Sequence, residues 1–516
     1  MRKSMDRKSQ FSRNPRDPRS GDSRAPASRS NPPRPLARTP VPTASAAVVK
    51  AGVPHGATES GWLPDCVYTG EKFELGLAFF ADSVGRITRF SREPADLATA
   101  RRLTGQAVLP GLVNTHSHAF HRVLRGRTEH RGRSDRDPLA GWREAMNHAV
   151  DRLTGDDIFD TGRMAFLEML SSGITCVGEF HYLHHQADGA PYPDPNFASR
   201  EIIRAAHDVG VRIALLKIAF SRADFQSAAD SAPARFRSGP TDQFLREIEA
   251  LRLGVEKEYP ADEAWLGTGI HSVGAVPLDA LKAISTYARA QRLRFHAHVS
   301  TRAEEVAACV AEFGKTPVAL LAEHGVIDKR FTAVDATHVT DDEAKILGTA
   351  RAAVCVCPSS ERNLSRRSGP VEKLLAAGAG LAFGTDTQVQ IDLLKDARAL
   401  EYDLRVERAQ RPAIAVDAAT ALFHAATFVG ARSLGATSGA LEVGRPADFF
   451  TVNLFDPSIA GSDAETLLPQ VMFGLERRAI RDVWIGARQR IAGGRHPNHG
   501  PIVGRFVELQ KKIWGG

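Results

Sequence analysis

The sequence has few cysteines and lacks any long apolar run. No apolar segment approaches the roughly 20 residues that a membrane-spanning helix requires. The five cysteines are odd in number and scattered (Cys66, Cys176, Cys309, Cys355 and Cys357). We therefore expect no disulfide framework. We expect a reducing, cytoplasmic location without membrane contact.

Most of the chain also lacks net charge, although the whole sequence carries +7. Residues 1–48 contain eleven Lys and Arg against three Asp, a surplus of eight, so the remaining chain carries −1. This segment is rich in Arg, Ser and Pro and cannot bury a core, so we expect a disordered basic tail. We expect it to serve as a solubilising extension, with a transit peptide or a nonspecific polyanion contact as alternatives. The nearly neutral remainder gives no reason to expect specific nucleic-acid binding.

One segment, residues 109–118, ends an apolar run in two histidines one residue apart. Residues i and i+2 of a strand point to the same face, so His116 and His118 can present two imidazoles to one metal ion. Neutral imidazole suits zinc, iron, nickel or copper. A His-x-His pair also occurs in surface loops, so the interpretation depends on further ligands elsewhere in the chain.

Residues 109–432 alternate apolar strand-like segments with amphipathic helical segments. Eight such units in about 320 residues predict a (β/α)8 TIM-type barrel. The candidate strands are the His-x-His strand and the segments that begin at Ile174, Arg212, Trp265, Leu293, Thr332, Ala353 and Leu381. Shorter strand-like segments over 49–108 and 433–500 predict a small, antiparallel β-sandwich domain built from both chain ends, with 501–516 as a C-terminal segment.

Polar residues fall where the predicted barrel strands end. In this fold the C-terminal strand ends carry the chemistry. The sequence places His116 and His118 after the first strand, His298 after the fifth, His338 after the sixth and Asp386 after the eighth. One such histidine is usually structural, but this combination predicts a shared metal site.

With these residues in place, the sequence resembles the amidohydrolase superfamily of metal-dependent barrels, and within it the formimidoylglutamate deiminases of histidine degradation. The resemblance spans residues 63–496. Its most specific motifs are Leu-Pro-Gly-Leu-Val-Asn-Thr-His-Ser-His-Ala-Phe ending at Phe120, Gly141-Trp-Arg-Glu, Glu179-Phe-His-Tyr-Leu-His-His, Tyr192-Pro-Asp-Pro and Gly384-Thr-Asp-Thr-Gln.

The resemblance implies one divalent metal ion, zinc with iron as the alternative, held by His116, His118, His298 and Asp386. Such an ion lowers the pKa of a bound water, so that hydroxide is available near neutrality to attack a C=N carbon and release ammonia. Asp386 would accept the proton of that water. His338 would hydrogen-bond the water or the atom under attack.

The resemblance also implies substrate contacts for Arg143, Tyr182 and His271. His121 stands where the family has a glutamine, and we expect it to contact substrate as well. A homodimer is implied in the same way.

Two further departures concern catalysis and substrate binding. Thr301 stands where the deiminases have a proton-carrying glutamate, and loss of such a group typically costs about 10²–10⁴ in rate. Gly274 replaces an arginine that grips the glutamate side of the substrate. Arg302 is a candidate replacement cation. Glu304 and Glu305 are expected to lie too far along the next helix to replace the missing acid without a register shift.

Three functions remain open from the sequence. The first is formimidoylglutamate deimination, and the second is hydrolysis of a different amidine or amide by a related enzyme. The third is a metal-binding pseudoenzyme with a scaffold role for the tail. Lys217 is expected to be a salt-bridged barrel residue rather than a bridging ligand for a second metal.

Overall fold

The computed structural model describes residues 59–129 and 140–515. The tail predicted over residues 1–48 lies outside this range. Within the described residues, no helix combines the length and the apolar character needed to cross a membrane.

The described strands form two sheets of eight strands each. Strands β1 to β5 and β14 to β16 make one sheet, and β6 to β13 make the other. The bounds are β1 Ser60–Tyr68, β2 Phe73–Leu75, β3 Ala78–Ala81, β4 Ile87–Ser91, β5 Arg101–Pro110, β6 Leu112–Ser117, β7 Ile174–His181, β8 Arg212–Ala219, β9 Ala264–Ser272, β10 Phe295–Val299, β11 Phe331–Asp335, β12 Ala353–Val356, β13 Gly380–Phe383, β14 Phe449–Asn453, β15 Ile480–Ile485 and β16 Arg488–Ile491.

Strands β6 to β13 pair with their chain neighbours, all in parallel. The last strand returns to the first, because the backbone amides of Thr385 and Asp386 donate to the carbonyl oxygen of His116 at 2.9 and 3.1 Å. The predicted (β/α)8 barrel is therefore confirmed, and each of its strands overlaps a predicted segment. The closing contacts also bring the eighth strand end to the His-x-His pair.

The second sheet joins the two ends of the chain, as predicted. The indole rings of Trp62 on β1 and Trp484 on β15 lie 5.3 Å apart, centroid to centroid. Strands β5 and β14 lie between β1 and β15 in the sheet, so β1 and β15 would be about 14 Å apart if the sheet were flat. The sheet therefore curls around a core that also includes Phe79 and Phe449. One pair, β1 with β5, is parallel, whereas only antiparallel pairing was expected.

Helices cover the outside of the barrel and connect its strands. In α4, for example, Ile202, Ala206 and Val209 are buried on one face, and Gly210 ends the helix in a left-handed conformation. The helices are α1 Pro94–Thr99, α2 Ala140–Val150, α3 Gly155–Leu170, α4 Phe197–Val209, α5 Thr241–Glu258, α6 Leu278–Ala290, α7 Ala303–Phe313, α8 Pro317–Glu323, α9 Asp341–Thr349, α10 Pro358–Asn363, α11 Val371–Ala377, α12 Leu393–Arg408, α13 Ala418–His424, α14 Gly430–Leu434, α15 Leu467–Phe473 and α16 His499–Trp514. The domain limits drawn from the sequence stay a proposal.

The C-terminal segment is largely the helix α16, which packs against the segment that follows β6, the first barrel strand. The indole Nε1 of Trp514 donates to the carbonyl oxygen of Val123 at 3.2 Å, and Gln510 donates to the same oxygen. The Trp514 ring also stacks on His148 of α2. The helix thus braces the segment that follows the His-x-His pair.

Candidate metal centre

Four side chains meet at the C-terminal mouth of the barrel. His116, His118, His298 and Asp386 each offer one ligand atom, and these atoms lie within 4.8 Å of one another. The Nε2 atoms of His116 and His118 are 3.1 Å apart, and Oδ1 of Asp386 lies 3.2 Å from Nε2 of His118. The cluster predicted from four distant parts of the sequence is therefore brought together.

The close approach of β13 to β6 positions Asp386. The Asn114 side chain both donates to the Thr385 hydroxyl at 2.7 Å and accepts from the Thr385 amide at 3.1 Å. A Cβ on Gly384 would lie 2.7 Å from the Cβ of His116, so only glycine allows this contact. Asp386 itself has φ of +40°, a strained conformation of the kind that collects at functional sites.

Backbone carbonyls fix the orientation of two of the rings. Nδ1 of His118 lies 2.9 Å from the carbonyl oxygen of Phe180, and Nδ1 of His298 lies 2.9 Å from that of His271. A carbonyl only accepts, so each Nδ1 carries the proton and each Nε2 has a free lone pair. This is the arrangement found behind metal-binding histidines.

The electrostatics of the cluster also fit a cation. Burial lowers the pKa of His116 well below its ordinary value, so the ring is neutral. Burial raises the pKa of Asp386, but its close contacts with the His116 and His118 rings outweigh that effect and hold the pKa well below its usual range. Three imidazoles and one carboxylate are a donor set for zinc or another first-row divalent ion.

A buried glutamate braces the His-x-His pair. Glu179 on β7 accepts the backbone amide of Ala119 and the hydroxyl of Ser117, both at 2.6 Å, and these residues flank His118. Burial raises the pKa of Glu179 to about 7. Glu179 begins one of the sequence motifs that carry the resemblance, but nothing in the sequence assigned it this role.

Three predicted substrate contacts line the space beside the cluster. The ring of His118 lies 4.8 Å from that of His121 and 5.3 Å from that of Tyr182, and the Tyr182 hydroxyl is 3.4 Å from Nε2 of His121. The His271 ring lies 5.2 Å from the His298 ring. Burial lowers the pKa of both His121 and His271 well below the usual range, so these rings are neutral hydrogen-bonding groups.

The other three predicted residues lie outside this group. His338 follows β11 and is exposed, and its backbone amide donates to the carbonyl oxygen of Ser300 at 2.9 Å. Arg143 on α2 is exposed, although its neighbour Trp142 packs on His121 with ring centroids 5.3 Å apart. Arg302 is the exposed N-cap residue of α7. Their predicted roles stay predictions.

Two expectations about neighbouring residues can be compared with the structure. Lys217 is fully buried and pairs with Glu247 at 3.2 Å, which confirms a salt-bridged barrel residue. Glu305 is closer to Thr301 than expected, since its carboxylate accepts the Thr301 backbone amide at 2.8 Å.

The five cysteines are buried and unpaired, as the sequence suggested.

A parallel eight-stranded barrel with this donor set at its mouth is typical of metal-dependent hydrolases, among them the C–N hydrolases and deaminases. The amidohydrolase family model matches residues 107–494. The chain belongs to the amidohydrolase family.

Individual relatives agree with this assignment. The chain is 34% identical over 423 residues to a formimidoylglutamate deiminase of Pseudomonas aeruginosa, which covers 81% of this chain and 92% of the relative. The crystal structure of an amidohydrolase from Brucella melitensis is 28% identical, covers 88% of this chain and 99% of its own, and has a TM-score of 0.80. A zinc-bound adenosine deaminase from Xanthomonas campestris, 21% identical with a TM-score of 0.74, covers 88% of this chain and 98% of its own and shares the fold.

Proposed function

We propose that the protein hydrolyses the C=N bond of a small polar amidine and releases ammonia, with formimidoylglutamate as the first candidate substrate. The observation that carries the proposal is the convergence of His116, His118, His298 and Asp386 within 4.8 Å. The Pseudomonas aeruginosa relative, matched over 92% of its length, supports the choice of substrate. A cytoplasmic location, a place in histidine degradation and a homodimer stay predictions.

The four clustered side chains would hold a divalent ion, zinc in the first place. When bound there, such an ion lowers the pKa of a water and polarises the bond under attack. Hydrolysis adds one water to the carbon, and both water protons end on the nitrogen that leaves as ammonia. Asp386 would hold the first proton, because its carboxylate lies among the ligand atoms. Tyr182 and His271 would orient the substrate beside the cluster.

One observation favours a second candidate, an amidine or amide without a distal carboxylate. A Cβ on Gly274 would lie 2.8 Å from the ring of Phe225 and 3.0 Å from Oδ1 of Asp224. The arginine implied by the resemblance thus has no room, and Asp224 would repel a carboxylate. Nearby, the His271 ring stacks on Phe220 with centroids 4.5 Å apart, an apolar surface suited to an aromatic group.

A matched pair of substrates distinguishes these candidates. Protein of measured metal content is assayed for ammonia release from formimidoylglutamate and from N-formimino-phenylalanine, which differ only in the distal group. A higher kcat/KM for the first supports the deiminase, and a higher kcat/KM for the second supports the changed substrate. Asp386→Asn serves as the inactive control. No turnover of either substrate, or of a wider set of amidines and amides, by fully metal-loaded protein contradicts the proposed function.

A further inference from the structure

A carboxylate lies beside Thr301, the position at which the resemblance implies a proton-carrying glutamate. Thr301 is buried, and its hydroxyl donates to Oδ2 of Asp335 at 2.8 Å. Asp335 ends β11 and pairs with Val299 of β10, the residue that follows His298. The acid missing from the loop after β10 is thus supplied, at hydrogen-bond distance, by the neighbouring strand.

Two other buried acids in this region are occupied by backbone amides. Glu305 accepts the amide of Ser300 at 3.2 Å with one oxygen and that of Thr301 at 2.8 Å with the other. Glu361 accepts a backbone amide at 2.9 Å in the turn that begins α10 with one oxygen and the Ser368 hydroxyl with the other. Both carboxylates fix loops. Asp335 differs in its place, because the hydroxyl that bonds to it belongs to Thr301, three residues after His298, and can pass a proton on.

The backbone holds Asp335 in an unusual conformation. Ser300, Asp335 and Ala336 have φ of +53°, +71° and +49°, the left-handed region that non-glycine residues rarely adopt. Two hydrogen bonds lock the paired turns, from the Ala336 amide to Val299 at 3.1 Å and from the His338 amide to Ser300 at 2.9 Å. Such conformations persist where the surroundings determine them, and they cluster at functional sites.

Asp335 lies one strand away from the metal cluster, because Val299, its partner in the β10–β11 pairing, directly follows His298. Among the described residues, the titratable or charged groups that face Asp335 are His298 on β10, Glu305 on α7, Cys355 on β12, Glu361 on α10 and Arg366, whose Nη1 is 3.9 Å away. Asp335 therefore lies beside the cluster rather than in a remote loop.

We propose that Asp335, held by Thr301, carries a proton from the attacking water to the leaving nitrogen, in place of a glutamate at position 301. The inference rests on the proposed C–N hydrolysis. Asp335 takes one proton as the water oxygen bonds to carbon and gives it to nitrogen as the C–N bond breaks. The carboxylate returns to its starting state, and Asp386 handles the other proton.

The test uses two isosteric substitutions and a transfer of the carboxylate. Asp335→Asn is expected to lower kcat by at least 100-fold with little change in KM. Thr301→Val should lose at least tenfold more kcat than Thr301→Ser, which keeps the hydroxyl. Adding Thr301→Glu to Asp335→Asn should recover at least tenfold in kcat. Asp341→Asn, an exposed carboxylate, is the control and should match the wild type.

Outcomes other than these overturn the inference. Asp335→Asn within threefold of wild-type kcat contradicts it. So does a loss explained by lower metal content or melting temperature, which would mark a structural residue. If the wild type hydrolyses no amidine or amide, the proposed function fails, and the cobalt(II)-loaded protein still tests Asp335. Removing a nearby negative charge should lower the pH midpoint of its visible spectrum by about half a unit, and an unchanged midpoint overturns the inference.

Discussion

Replacing Glu179 by methionine should loosen the metal centre without touching a ligand. Methionine matches the length of glutamate but accepts no hydrogen bond, so the Ala119 amide and the Ser117 hydroxyl each lose a bond of 2.6 Å. Both residues are fully buried, and an unsatisfied buried group costs about 1–3 kcal/mol. The segment can escape this cost only by moving, and that movement displaces His118, which lies between the two residues.

The expected loss is about 10–100-fold in metal affinity, the usual effect of removing a group that orients a ligand. Competition with a chromogenic chelator measures it. Glu179→Gln is the matched control, because its amide oxygen still accepts the Ala119 amide, and it should lose less than threefold. Glu256→Gln, which lies on the exposed outer face of α5, should change nothing. The reasoning is refuted if the methionine variant binds metal within twofold of the wild type, or if the glutamine variant weakens as much.

Three further predictions concern pH, the domain junction and the metal. Burial raises the pKa of Glu361 from 4.5 to about 7, so the folded protein loses a stabilising proton as the pH rises from 6 to 8. The free energy of unfolding of the metal-free protein, measured in urea, should therefore fall over this range. In Glu361→Gln that fall should be smaller by about 1.4 kcal/mol. Arg212 and Asp448 form a buried bidentate pair at 2.6 and 3.0 Å between the barrel and the second sheet. Asp448→Asn should therefore cost about 3–5 kcal/mol in the same measurement, and replacing both residues by apolar ones should cost less. Removing the metal with a chelator should abolish turnover. It should also lower the free energy of unfolding by about 2.7 kcal/mol, compared with protein in free metal at 100 times the dissociation constant. Adding zinc or iron(II) should restore both activity and stability.

The barrel and its His-x-His pair could be predicted because local rules are sufficient for both. The alternation of strands and helices sets the fold class, and strand ends meet at one mouth whatever the loops do. His116 and His118 share a face through their i, i+2 spacing. The strand count places His298, His338 and Asp386 at that mouth, but only the resemblance gave the ligand role to His298 and Asp386 and not to His338. Once the first and eighth strands lie side by side, the tight packing of Gly384 on His116 follows from their pairing.

The surroundings of Thr301 could not be predicted, because they depend on backbone conformations that the sequence does not mark. Glycine usually signals a left-handed residue, yet Ser300 and Asp335 adopt φ of +53° and +71° without it. The contact between Thr301 and Asp335 also joins residues 34 positions apart. The contact of Glu305 with Thr301 could not be predicted for a related reason: α7 begins at Ala303, so Glu305 lies in its first turn and folds back to accept backbone amides.

Gly274 and Thr301, where the resemblance implies departures from the formimidoylglutamate deiminases, both lie in loops that follow barrel strands. There is a physical reason why changes occur in such loops. Of the four clustered side chains, His116 lies on β6 and His298 on β10, whereas His118 and Asp386 follow β6 and β13 within three residues. Strand pairing and a buried core hold these strands in place, so moving one of the four would disturb several strands. Gly274 and Thr301 instead lie in loops after strand ends, where neighbours such as Phe225 can change at local cost. We therefore expect the strands to determine the metal site and the loops to determine the choice of substrate. A residue absent from one loop is not evidence of a lost function, because the next strand can present the same chemical group, as Asp335 does beside Thr301.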